Sequence, residues 1–159
     1  MPSEYFKYLV FGVSLAITIY IFVMGDHLWK KRFFRTCLLI AGVQFLAGTA
    51  VEFLGIIDTT PGIVFVTMSA SIVFLGYFWL FRFFYKRIYR TEPHITSRSS
   101  MIGSPPLDMF SSASTDGKEN KYPKGRLVTM ADFVFSALHT LVPAFTILAM
   151  LALVRKING

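Results

Sequence analysis

The chain reads as an all-α polytopic membrane protein, four transmembrane helices in a compact bundle with one long disordered loop on the cytoplasmic side. Three observations predict this. Four apolar runs, at about residues 6–24, 36–57, 63–84 and 133–154, each have the length a helix needs to cross the hydrocarbon core. Hydrophobic residues make up 54% of the 159-residue chain and charged ones 16%, a balance outside that of ordinary soluble domains. Lysine and arginine gather beside the ends of the runs, where a bilayer places its headgroups. Backbone amides in hydrocarbon must bond within their own segment, so runs of this length are helices rather than strands. Residues 1–159 then form a single membrane domain.

The first run is longer than a secretory h-region, its basic residues follow rather than precede it, and residues 22–26 offer no small-x-small cleavage site. It is expected to stay in the mature protein. Its Ser14 and Thr18, like Thr67, Ser69 and Ser71 of the third run, can bond to carbonyls of their own helix and point to no pathway by themselves.

The second run carries the sharpest polar pattern. Gln44, Gly48, Glu52 and Gly55 recur at steps of four, four and three, which places them on one stripe with Ala41 at its inner end. Glycines let another backbone approach, and Gln44 and Glu52 can then hydrogen-bond across the contact, so the stripe reads as a helix-packing face. An acid within a membrane span also marks a place for proton or cation handling, which makes Glu52 the ion-handling candidate.

The third run ends among Tyr77, Trp79, Tyr85 and Tyr89, and Trp29, Phe33 and Phe34 flank the loop after the first; such rings suit the headgroup level. Arg82, Lys86, Arg87 and Arg90 lie among the former set and Lys30, Lys31 and Arg32 among the latter, which makes both groups candidates for anionic lipid contact. From 91 to 130 the chain turns Ser-, Thr-, Pro- and Gly-rich without apolar period and is expected to be disordered. Ser104-Pro105-Pro106 presents a proline-directed phosphorylation site, and the apolar clusters Met101-Ile102 and Leu107-Asp108-Met109-Phe110 could dock into a groove or dip among headgroups.

Thr129 is placed to cap the fourth helix, with Asp132 in its first turn. Ser136, His139, Thr140 and Pro143 fall mostly on one face, and the proline leaves a carbonyl unbonded near Leu138 or His139, so this face is the second polar candidate site. His139 lies toward the inner leaflet and Glu52 toward the outer, which separates them along the membrane normal.

Lys30, Lys31, Arg32 and Arg35 follow the first helix and Lys86, Arg87 and Arg90 the third, whereas the 58–62 turn has no cation. Retention of basic loops inside puts loops 25–35 and 85–132 on the cytoplasmic or matrix side and both termini outside, against the smaller pull of Lys7, Arg155 and Lys156. The net charge of +7 is thus a topology signal, and nucleic acid is not an expected partner.

Cys37 is the only cysteine, which excludes an intrachain disulfide and CxxC redox chemistry. No catalytic constellation, metal-ligand spacing or phosphate loop stands out, and no cofactor is expected; a haem shared with another subunit through His139 is the one option left by a lone imidazole. The reading that fits is a non-enzymatic accessory or assembly subunit, or adaptor, of a larger integral membrane complex, with membrane lipids and other integral subunits or its own copies as partners. The alternatives are an oligomeric proton or cation channel or transporter using Glu52, and a membrane-embedded lipid- or quinone-linked enzyme.

Overall fold

The structure is a computed structural model that describes residues 2–93 and 130–159. Its described part is helical, without strands: α1 (Pro2–Val23), a 3-10 turn (Met24–His27), α2 (Lys31–Phe53), α3 (Ile63–Tyr89) and α4 (Met130–Asn158). All four α-helices are long and apolar enough to cross a membrane, consistent with an integral membrane protein.

α1 extends past its apolar run at the N-terminus, α3 at the C-terminus and α4 at both ends. α3 continues through Lys86 and Arg87 to Tyr89, and α4 through Arg155 and Lys156. Cations in a last turn complement the helix dipole, so the helix does not stop where hydropathy does. α2 is shifted instead: it begins at Lys31, among the basic residues, and ends at Phe53, four residues short of the expected 57. Gly55 causes the stop. With φ of 59° it takes the left-handed conformation, its N–H bonds back to the Glu52 carbonyl at 3.2 Å, and the Ile56 N–H bonds to the Val51 carbonyl at 3.3 Å. That pairing is the Schellman termination, which only a residue without Cβ enters at no steric cost.

The chain falls into two compact units. One combines α1, α2, α3 up to Tyr77 and α4 from Val142; the other takes α3 from Phe78 and α4 up to Leu141. In the first unit, Val10, Ile57, Val64 and Met68 form a buried apolar cluster flanked by Phe11 and Val51. Phe22 meets Phe74 edge-on at 5.6 Å, and Phe45 meets Phe65 in the same way at 5.3 Å. The Asn158 amide closes the end of α4 by donating to the carbonyls of Val154 (2.8 Å) and Pro61 (3.1 Å). In the second unit Phe78 and Phe135 are buried and pack edge to face, and Tyr85 adds a third ring against Phe135.

Candidate functional site

Two hydrogen-bonded clusters organise the polar side chains, one in each unit. The first is built around Gln44, which is only 6% exposed. Its Nε2 donates to the Ser14 hydroxyl of α1 at 2.7 Å, and its Oε1 accepts from the Ser71 hydroxyl of α3 at 2.9 Å. Ser14 donates onward to the Thr67 carbonyl at 3.2 Å, while the Thr18 hydroxyl lies 2.9 Å from both Ser71 Oγ and the Ser14 carbonyl. One amide thereby joins three helices. In hydrocarbon an unbonded amide costs several kcal/mol, so each partner has a strong reason to stay.

One turn further along α2, Gly48 meets Met68 of α3 so closely that a Cβ there would collide with the methionine Cβ and Cγ. Gln44 and Gly48 therefore share the inward face that their spacing suggested, and the helices they contact belong to the same chain. Glu52 does something the stripe did not indicate. Its carboxylate accepts the Gly62 N–H at 2.6 Å and the Phe65 N–H at 3.3 Å, which caps the first turn of α3 from the end of α2. Amides left open at a helix N-terminus, together with the dipole, favour an anion there. Gly62 itself has φ of 90° and faces the Val154 methyls, so a side chain at this position would be strained and crowded. Gly55 lies beyond α2 and acts as its terminator rather than in packing.

Between α1 and α2 an apolar cleft of about 440 Å³ opens over this cluster, walled by Val13, Ile17, Leu39 and Val43, with Ser14 and Gln44 at its base. Its surface is apolar, because the polar atoms of Ser14 and Gln44 are taken up by their bonds to each other, to Ser71 and to the Thr67 carbonyl. Lys30, Lys31 and Arg32 are exposed, and the Lys30 ammonium sits 5.7 Å from the Trp29 ring centre.

The second unit holds ionisable groups. Asp132, fully buried in the first turn of α4, accepts a 2.7 Å hydrogen bond from the Tyr85 hydroxyl of α3. Tyr85 is itself buried, so it departs from the headgroup belt in which its sequence neighbours placed it; Trp79 and Tyr89 remain exposed. Along the same face of α4, the Ser136 hydroxyl donates to the Asp132 carbonyl at 2.9 Å. The Ser136 carbonyl receives the Thr140 hydroxyl at 3.0 Å and lies 2.9 Å from His139 Nδ1. The buried His139 ring stacks on Phe135 at 5.7 Å and meets Phe78 edge-on at 6.0 Å. Ser136, His139 and Thr140 thus come together as expected from their spacing, whereas Pro143 belongs to the first unit.

At the end of α3 a second carboxylate gathers two cations. Arg82 donates through Nε and Nη2 to the two oxygens of Glu92, both at 2.8 Å, and Lys86 adds a third bond of 2.8 Å. Partial burial pushes the Glu92 carboxyl upward, but the Arg82 and Lys86 bonds outweigh it and hold the group down at about 2. Arg87 and Arg90 are exposed beside this clamp. Arg90 takes φ of 56°, a left-handed conformation unusual outside glycine, and the chain turns there to bring Glu92 back to α3.

Sequence reasoning missed Glu92, the Tyr85–Asp132 pair and the roles of Ser14, Thr18 and Ser71. Glu92 left a signal, as the single acid directly after four cations; the hydroxyls left none, because their partners are distant in sequence. Ser104, Thr129 and the two apolar loop clusters lie outside the described residues. Among the described residues no three His, Cys, Asp or Glu side chains gather as a metal site requires. Compared with family models, with curated proteins and with solved structures, the chain matches none.

Proposed function

We propose that the protein is an accessory or assembly subunit of a larger integral membrane complex, with loops 25–35 and 85–132 on the inner side and both termini outside. The observation that carries this reading is the use made of the polar groups of α1 and α2. Gln44, Ser14, Thr18 and Glu52 bond to neighbouring helices of the same chain, so the faces left uncovered are apolar, with Leu39 72% exposed and Leu9, Val43 and Leu46 above 60%. Faces of this kind bury against lipid and against other membrane helices, where close packing rather than polar chemistry gives contact.

Native mass spectrometry of the protein drawn gently from its own membrane tests the proposal. A fixed heteromeric mass is expected. A chain that travels alone and, reconstituted alone, moves protons or cations across liposomes would sink it. Loss of that flux in Glu52→Gln, with the protein still folded, would then install the channel reading in its place.

A further inference from the structure

We propose that the Arg82–Lys86 pair is a binding site for the phosphate of an anionic membrane lipid, and that Glu92 occupies it as an internal competitor. The donor set comes first. Arg82 presents two N–H groups in a planar fork and Lys86 a third donor, and all three converge on one carboxylate within 2.8 Å. A phosphate presents oxygens at a similar spacing with more charge, and guanidinium forks bind it in the same bidentate manner.

The local charge is unbalanced. Arg82, Lys86, Arg87 and Arg90 lie within nine residues, and Glu92 is bonded by Arg82 and Lys86 while Arg87 and Arg90 are exposed, so among the described residues the helix end keeps a positive excess with the clamp closed. The surroundings name the source of the phosphate. Trp79, Phe83, Phe84 and Tyr89 are each about half exposed around these cations, with Trp79 stacked on Phe83 at 5.9 Å. Exposed rings interleaved with cations at the end of a long apolar helix match the headgroup level of a bilayer, where lipid phosphates are concentrated.

The site is also reachable and its present occupant is replaceable. The Lys86 side chain is 51% exposed, and those of Arg82 and Glu92 are 23% and 21% exposed. Arg90 ends α3 in a left-handed backbone, its N–H bonded to the Lys86 carbonyl at 2.9 Å, and Glu92 returns to the fork two residues later, in the chain that follows the helix. Glu92 stays ionised throughout the physiological range, so a proton cannot open the clamp there; a competing anion can.

The test uses the full chain in neutral detergent, titrated with short-chain phosphatidic acid and read by Trp79 fluorescence in a Trp29→Phe background. Saturable binding is expected, tightened about tenfold by Glu92→Gln, the equivalent of one charge-assisted hydrogen bond no longer contested. Arg82→Gln should abolish it, and Arg82→Lys, which keeps the charge and the fold but loses the fork, should weaken it severalfold. Equal affinity in wild type and Glu92→Gln overturns the competitor role. Binding unchanged in both Arg82 variants overturns the site. Saturation by inorganic phosphate alone, or by short-chain phosphatidylcholine to the same extent, overturns the anionic-lipid assignment.

Discussion

Around Gln44 the chain joins α1, α2 and α3 with neutral groups, one amide and three hydroxyls, whereas the second unit uses carboxylates, a phenol, a guanidinium and an ammonium. Position on the helix explains the contrast. Ser14, Gln44 and Ser71 lie well inside their helices, where an ion would cost several kcal/mol. Asp132 sits in the first turn of α4, where open amides and the dipole favour an anion, and the part-exposed Arg82 and Lys86 lie toward the C-terminal end of α3, which favours cations. The two clusters also differ in what happens when a partner is lost. A serine or threonine hydroxyl can turn to a carbonyl of its own helix, as Thr49 and Thr67 already do; a buried carboxylate can only accept, so the loss of the Tyr85 phenol takes a hydrogen bond from Asp132.

The neutral cluster depends on backbone approach, so its most damaging change should be steric. Gly48→Val places a branched side chain against Met68 and is expected to cost about 3 kcal/mol, the upper end for overpacking. Denaturant unfolding in detergent measures this, and a double-mutant cycle with Met68→Gly, which removes both colliding atoms, should show coupling that recovers part of the loss. No recovery would mean that Gly48 acts through something other than this contact.

Tyr85→Phe should come next, at roughly 2 kcal/mol, because it removes a donor from a fully buried carboxylate. A double-mutant cycle with Asp132→Asn isolates the pair. A coupling energy near zero would show that Asp132 is held equally well without the phenol and would erase the distinction between the clusters.

Gln44→Leu should cost less despite breaking two bonds, about 1 to 2 kcal/mol, since interhelical hydrogen bonds in membranes are individually modest and Ser14 and Ser71 can turn back to their own helices. A loss larger than that of Tyr85→Phe would reverse the proposed ranking and show that the hydroxyls do not find substitutes.

The spans were legible because hydropathy reports apolar length directly, and apolar length is what a bilayer selects. Helix ends were not, for two physical reasons. Basic residues such as Lys31, Lys86 and Arg155 continue a helix that hydropathy has already closed, and Gly55 stops α2 through a backbone conformation that its neighbours could have carried as helix. Of the α2 stripe, the periodicity placed Gln44 and Gly48 on a common contacting face. It carried no information that α2 ends at Phe53, which makes Glu52 its penultimate residue and brings it within reach of the amides at the start of the next helix. His139, Ser136 and Thr140 were grouped by spacing, but Tyr85 opposite them was assigned to the lipid surface because a tyrosine near cations looks the same in sequence whether its hydroxyl meets water or Asp132.

The smallest effect, and the one that separates the ionic clamp from the neutral cluster most cleanly, is in pH. Glu92 titrates at about 2 against an ordinary 4.5, so the unfolded chain binds the proton first. The clamp's contribution is therefore complete above the ordinary value and is lost as pH falls from about 4.5 to about 2. Partial exposure and screening keep it below about 1 kcal/mol. Glu92→Gln should flatten that segment of the stability profile, and salt near 1 M, where screening acts over about 3 Å, should shrink it. Gln44→Leu should leave the segment's slope as it is, since no proton is exchanged in the neutral cluster. A slope that survives Glu92→Gln would assign the acid response to another carboxylate and leave the clamp without measurable weight in the folded protein.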